Sequence, residues 1–377
     1  MNLQEEFPLN KGMVYLNHAA VSPWPQRTVK AVQAFAEENG EFGALNYDNW
    51  VKTEQSLRKK LQTLINAPSA SDIALLKNTS EALSVVAYGL PWQEGDNIVI
   101  LGEEFLSNRI VWESLSKRGV ETRIVQDSEN INTESALFQL VDRRTRLISV
   151  SSVQYGTGLR LDLAKIGEFC RSKGILFCVD AIQSIGAINF DVQAIGADFV
   201  MADGHKWMLG PEGVALFYCR KELAERLDLK QYGWHMVEDL GNYDNTDWKV
   251  ANDARRFECG SPNMTGIHAL DASISLLLEV GMDEIEKQIT DRSDYLIDNL
   301  DRMKKVQLLS PSRRGRYAGI TNFKLKKLST EALYEELRSK GVYCAFRNGG
   351  IRLSPHFYTS MDDINEALNI IYRRLVL

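Results

Sequence analysis

The chain has 377 residues, 44% of them apolar and 25% charged, with a formal net charge of -6. That length exceeds one ordinary core and suits two domains, with the balance of a folded protein rather than a disordered one. Acids and bases are interspersed without a basic stripe, which argues against a nucleic-acid binder.

The opening "MNLQEEFPLNKG" lacks the basic and apolar regions of a signal peptide. No apolar run approaches the roughly eighteen residues of a membrane span, so the expectation is a cytoplasmic protein with no membrane partner. From about residue 72 to 220, strand-like and helix-like segments alternate. "DIALLK" (72–77) precedes the helical "TSEALSVVAYGL", "NIVILG" (97–102) precedes "SNRIVWESLSKRG", and "TRLISVSSVQY" (145–155) precedes "DLAKIGEFCRSKG". Then come "ILFCVDAI" (175–182), "ADFVMAD" (197–203) and "GVALFYCRK" (213–221), each fit to be a strand buried on both faces. This alternation predicts a mostly parallel sheet flanked by helices, with the ligand edge at the strand C-termini.

After residue 222 periodicity fades into a long stretch rich in aromatics and charges, of the kind that is usually functional. Its Tyr232, Trp234, Tyr243 and Trp248 suit cofactor-side or dimer packing, or a partner surface. A long helical region from "TGIHALDAS" to "DNLDRM" follows, with a break expected at Gly281. The remainder, through "AGITNFKL", "STEALYEELRSKG" and "GGIRLSPHFY", reads as a smaller α+β domain. The five cysteines (Cys170, Cys178, Cys219, Cys259, Cys344) are scattered, mostly in apolar segments, and form no C-x-x-C pair. They read as reduced thiols, with no metal or redox motif.

Three local features carry chemistry. Lys206 follows a buried strand and sits between His205 and the turn "LGPEG". It reads either as a carbonyl-trapping amine or as a lysine snorkelling from a strand end. Asn78 with Glu81 fits a helix cap, which places Thr79 and Ser80 at a helix N-terminus suited to phosphate or simply to capping. Asp180 ends an apolar run, where an acid is costly without a cationic partner, and Gln183 lies three residues on. Lysine, phosphate-binding cap and buried acid together describe a pyridoxal 5'-phosphate site. No G-x-S-x-G, H-E-x-x-H or nucleotide P-loop is present, and the five histidines lack metal-ligand spacing.

The segments "YLNHAAVSPWP", "NTSEAL", "VDAIQSIG", "DGHKWMLGPEG", "RRFECGSPNMTGI" and "IRLSPHFY" resemble the class V group of fold-type-I pyridoxal phosphate enzymes. That group includes cysteine desulfurases, kynureninases, isopenicillin N epimerases and several aminotransferases. The resemblance implies a large cofactor domain (15–264) and a small domain (1–14 with 265–377) containing the connecting helix. It implies Lys206 as the Schiff-base lysine and proton shuttle, and Asp180 as the partner of the pyridinium nitrogen. Gln183 matches a donor near the cofactor's phenolic oxygen, with Gln154 beside it. Thr79 and Ser80 match the phosphate-binding pair, with His205 close to the phosphate or ring. Ser261 matches a residue reaching the neighbouring subunit's phosphate, hence a homodimer with shared sites. Arg352 matches the arginine that grips the substrate carboxylate, and Asn17 and His18 are expected to line the substrate site.

Two departures are visible. Phe105 in "EEFLSN" stands where desulfurases often stack a histidine on the ring. No cysteine lies between Arg347 and Arg352, where desulfurases carry the persulfide-forming thiol. Asp203, in a position where desulfurases tend to have serine, is expected to point away from the phosphate or to bind a backbone donor. The leading expectation is transamination of a small amino acid or amine; the alternative is a C–S or β-elimination lyase, or an epimerase, using the same site. A silent binding protein of this fold would have lost Lys206, Asp180 or Arg352, and all three are present.

Overall fold

A computed structural model describes residues 3–126 and 132–376. A seven-stranded sheet orders its strands Ile73–Leu76, Ala215–Cys219, Phe199–Asp203, Leu176–Asp180, Thr145–Ser151, Asn97–Leu101 and Glu121–Val125. Only Ala215–Cys219 runs antiparallel to its neighbours; the other adjacent pairs are parallel. The pleat divides the apolar side chains between two cores. Val99, Ile148, Val179 and Val200 face one, while Ile98, Leu147, Cys178 and Phe199 face the other. Continuous apolar runs form these strands because each must bury both faces under helices. Glu121–Val125 escapes that pattern: it is an edge strand with only Val125 buried.

The helix Met264–Val280 packs against Gln26–Phe42 and Tyr47–Ile65. The helical region breaks at Gly281, whose φ of 86° suits a residue without Cβ, and Met282–Asp301 continues beyond it. The long irregular stretch holds only short 3-10 turns, Trp234–Met236 and Ala254–Phe257.

The C-terminal part contains a four-stranded antiparallel sheet in the order Ala345–Arg347, Gly350–Leu353, Thr321–Leu325, Val306–Leu308. Phe323, Ile351 and Leu353 face its own core with Leu333, Leu337 and Ile371. Val14–Tyr15 pairs in parallel with Val342–Tyr343, so the N-terminal segment is tied to this part of the molecule.

One buried ion cluster fastens the irregular segment to the large sheet. Arg58 donates to Glu54 at 2.5 Å, to both Glu258 oxygens at 2.6 and 2.7 Å, and to the Ile73 carbonyl at 2.7 Å. Removing the guanidinium strands two buried carboxylates. Arg58→Met is therefore expected to destabilise the fold by about 3–5 kcal/mol, read as a fall in the denaturant midpoint at unchanged slope.

Candidate active site

The strand C-termini deliver the chemistry-bearing residues to one edge of the sheet. Beyond Ile73–Leu76, Asn78 caps the helix Thr79–Gly89: its Oδ1 accepts the Glu81 N–H at 2.9 Å. Glu81 reaches back to the Lys77 N–H at 2.7 Å, one residue outside the expected reciprocal bond. Ser80 Oγ donates to Ser107 Oγ at 2.8 Å. Thr79 Oγ1 is buried without a partner.

Lys206 leaves Phe199–Asp203 through a tight turn. Gly210 N–H donates to the Gly204 carbonyl at 2.8 Å and Leu209 N–H to the Lys206 carbonyl at 3.0 Å. Leu209 adopts a φ of 59°, an uncommon conformation for a leucine and a sign of local strain. Trp207, fully buried, anchors the turn through Nε1 donating to Gln183 Oε1 at 2.8 Å. The Lys206 amine has no hydrogen bond or ion pair among the described residues, and it lies 5.7 Å from the Phe105 ring centroid. Burial lowers its pKa to about 8; Asp180 opposes this, Arg352 adds to it, Asp203 opposes and Arg347 adds. The free amine thus gains population near neutrality. Capture of pyridoxal phosphate by cofactor-free protein should rise with pH around a midpoint near 8, not near the 10.5 of an ordinary lysine. Stopped-flow absorbance from roughly pH 6.5 to roughly pH 10 checks this, and a midpoint above about 10 contradicts it.

Asp180 ends the neighbouring strand and is buried, accepting the Ile182 N–H at 3.1 Å. Burial raises its pKa to about 6, against the Ile182 bond and the Lys206 charge. Arg352 is also buried; Nη1 donates to the Tyr155 carbonyl at 2.8 Å, while Nε is unpaired. Burial first, then the nearby Arg347 charge, lowers its pKa to about 10, so it remains a cation at neutral pH. Tyr155 in turn meets Phe105 edge-to-face at 5.1 Å, which joins the lysine, aromatic and arginine into one wall.

Several expectations change in detail. Gln183 is largely committed inside the protein, donating to the Ala19 carbonyl at 3.0 Å and accepting from Trp207. Gln154 instead has an unpaired buried Oε1, because its Nε2 donates to Glu104 at 2.9 Å. His18 is fully buried, with Nδ1 at 2.9 Å from the Ser354 carbonyl and Nε2 at 2.7 Å from Tyr358 Oη, so both ring nitrogens are engaged inside the protein. Burial lowers its pKa to about 4, so it is a neutral strut. Its neighbour Asn17 keeps a buried, unpaired Oδ1. Asp203 binds no backbone donor among the described residues; its Oδ1 lies 3.2 Å from His205 Nδ1, without hydrogen-bond alignment. Ser261 is exposed and lines a cleft with Lys77 and Glu81.

Glu104 was not anticipated. Buried beside Phe105, it accepts from Ser151 N–H at 2.9 Å, Ser151 Oγ at 2.5 Å, Asn108 Nδ2 at 2.8 Å and Gln154 Nε2. Burial pushes its pKa up to about 7 against those bonds. An acid just after a buried strand, like Asp180, was the available signal. A cleft of about 1210 Å³ opens elsewhere, beside Glu134, Lys165 and Arg316, and is lined by none of Lys206, Asp180 or Arg352. Chemistry rather than volume identifies the site.

The orphaned groups fit pyridoxal phosphate. Thr79 Oγ1, Gln154 Oε1 and the Arg352 Nε–H are buried without partners, a state costly enough to imply a ligand. Thr79, Ser80 and the helix N-terminus would take the phosphate, Asp180 the ring nitrogen, Lys206 the carbonyl carbon, and Phe105 a ring face.

The comparisons with known proteins agree. Residues 14–366 match the family model described as Aminotransferase class-V. A probable cysteine desulfurase of Methanothermobacter thermautotrophicus is 30% identical, over 96% of this chain and 95% of the relative. The apo structure of cysteine desulfurase from Thermococcus onnurineus superposes with a TM-score of 0.88 at 25% identity, covering 99% of this chain and 97% of that one. A mutant of C-DES, with glycine covalently linked to its PLP cofactor, superposes with a TM-score of 0.90 at 23% identity, covering 100% and 99%, a likeness of fold. With the site's orphaned groups and this match along nearly its whole length, the chain belongs to the class V aminotransferase family of pyridoxal phosphate-dependent enzymes.

Proposed function

We propose that the protein is a lyase that breaks the Cβ–S bond of a small sulfur-bearing amino acid without forming a persulfide on its own cysteine. The observation that carries this reading is a buried Arg352 with an unpaired Nε, acting electrostatically on Lys206, with no cysteine between Arg347 and Arg352. Cys344, the cysteine nearest in sequence to Arg352, is buried between two short strands, and burial raises its pKa to about 12. Cys170, Cys178 and Cys219 are buried in the large domain, and Cys259 lines the cleft of Ser261. The relatives named cysteine desulfurases, and a neighbour described as the cystine C–S lyase C-DES, favour C–S cleavage over the transamination first expected.

Pyridoxal phosphate supplies, when bound, a carbonyl for the substrate amine and a ring that accepts an electron pair from the α-carbon. Arg352 grips the α-carboxylate as a fork and fixes the substrate's orientation. Lys206 Nζ, with its lowered pKa, takes the α-proton as general base. Asp180 holds a proton on the ring nitrogen by its negative charge. Phe105 covers the site from one side and helps exclude water. The Cβ–S electron pair leaves with sulfur, which takes up a proton. The enamine left behind is hydrolysed, so that amino acid and water give pyruvate, ammonium and a thiol or persulfide. A site built as a homodimer, with Ser261 serving the partner subunit's phosphate, belongs to the same proposal and predicts twofold association.

Mixing the cofactor-loaded protein with cystine, S-alkylcysteines or plain amino acids, without a keto acid, separates the readings. Continuous release of pyruvate and ammonia at constant visible absorbance is expected. A single equivalent of keto acid with bleaching of that absorbance restores transamination and removes the lyase reading.

A further inference from the structure

Arg347 stands five residues before Arg352, a spacing that would put the two on opposite faces of a continuous strand. The hairpin between them reverses that. Asn348 and Gly349 take φ of 54° and 70°, the paired positive values of a two-residue type I' turn, for which Asn-Gly is the favoured sequence. Arg347 consequently pairs with Gly350, and Ala345 with Arg352. Arg347 and Arg352 therefore project from the same face, as diagonal neighbours on adjacent strands, roughly 7–8 Å apart at the backbone.

The opposite face, Phe346, Ile351 and Leu353, serves the C-terminal core. The arginine face meets the 154–157 loop of the large domain. Arg352 donates to the Tyr155 carbonyl, Asn322 Nδ2 bridges the carbonyls of Gly156 and Arg347 at 2.8 and 3.0 Å, and a Cβ on Gly156 would meet Asn348 Nδ2 at 2.2 Å. The hairpin is thus held at the site wall. Arg347 Nη1 donates only to the neighbouring Phe346 carbonyl at 2.8 Å, and its charge has no anionic partner among the described residues. Arg347 acts on both Arg352 and Lys206 electrostatically. Two cations and a lysine on one wall, with no acid paired to either arginine, exceed what a single α-carboxylate requires.

We infer that Arg347 forms, beside Arg352, a second anion subsite, so that the preferred substrate is an amino acid whose side chain itself ends in a carboxylate. The inference rests on the proposed lyase reading for where that anion sits: it rides on the sulfur leaving group, as in a disulfide or thioether of cysteine with a distal carboxylate. Arg352 takes the α-carboxylate, Arg347 takes the distal one, and the span between them selects the length of the leaving group.

The test uses the cofactor-loaded protein and two probes of similar length, S-(2-carboxyethyl)cysteine and S-propylcysteine, with pyruvate as the readout. The wild type should favour the carboxylate-ended probe through KM. Arg347→Gln should cut that preference roughly ten- to hundredfold, the worth of a charge-assisted hydrogen bond, and Arg347→Lys should retain part of it. Arg347 is exposed, so these variants leave the core untouched. A wild type without the preference, or a preference that survives in Arg347→Gln, overturns the inference. Equal weakening of both probes also overturns it, since Arg347 would then share the α-carboxylate. Glutarate and butyrate, titrated against the visible absorbance of the holoenzyme, separate the subsite from the reaction. If neither probe yields pyruvate, yet glutarate binds more tightly than butyrate and only in the protein with Arg347, the lyase reading fails and the subsite stands.

Discussion

Lys206→Ala is expected to lose at least about a thousandfold in turnover while remaining folded. In the proposed reading the amine serves both as carbonyl nucleophile and as base at the α-carbon, and positioned acid–base groups alone are worth about 10²–10⁴. Its environment explains the choice. The turn that follows Phe199–Asp203 holds the residue against Phe105, and Trp207 locks the turn to Gln183. The amine has no competing hydrogen bond among the described residues, and burial lowers its pKa to about 8. Borohydride treatment should leave the cofactor covalently retained on the peptide containing Lys206 in the wild type and on no peptide of the variant. Circular dichroism should be unchanged, because the Lys206 amine makes no hydrogen bond or ion pair among the described residues that the fold would lose. Turnover within tenfold of wild type would remove Lys206 from its assigned role.

Asp180→Asn is expected to lower turnover by about 10²–10³, the range found when one preorganised electrostatic partner is removed. It should also stabilise the cofactor-free protein near neutral pH, which an ordinary loss-of-function variant would not do. Burial holds the Asp180 pKa at about 6, above its usual 3.8. An acid with a raised folded pKa binds more protons folded than unfolded, so stability is lost as pH rises from about 4 to 6. Above pH 6 the folded state carries the full penalty, on the order of 2–3 kcal/mol at about 1.36 kcal/mol per pKa unit. The amide has no charge to bury and can still accept the Ile182 N–H. Denaturant unfolding of both apoproteins at pH 4 and pH 7.5 reads the sign: the variant should gain at the higher pH and gain little at the lower. A variant less stable than wild type at pH 7.5 would mean that Asp180 is already compensated by a cation in the free protein.

Both residues illustrate a division of labour. The carboxylate and amine at the large-sheet edge and the Arg352 guanidinium on the small sheet are groups that burial leaves poorly compensated, and in the proposed reading the cofactor and substrate satisfy them. Stability given up at Asp180 and in the strained backbone of Leu209 is spent where a ligand will sit, in line with the clustering of perturbed pKa values and strain at functional sites.

The sequence by itself determined the features that depend on near neighbours along the chain. Apolar runs such as "VALFYC" marked strands buried on both faces, Asn78 marked a helix start, Gly281 a break, and Lys206 and Asp180 stood out as charged groups at the ends of buried strands. These signals are local because propensity, capping and burial of a run are set within a few residues. Glu121–Val125 went unmarked because an edge strand has only part of one side to bury. Only the tertiary structure decided which polar groups remain free. His18 and Gln183 read as ligand groups in the sequence, and the fold engages them with Ser354, Tyr358, Ala19 and Trp207. Glu104 turned Gln154 so that its oxygen is left over. Arg347 joined Arg352 on one face through a turn that inverts strand parity. In each case the deciding partner lies far away in sequence or across a chain reversal, and hydrogen-bond satisfaction is settled by whatever three-dimensional packing brings within about 3 Å.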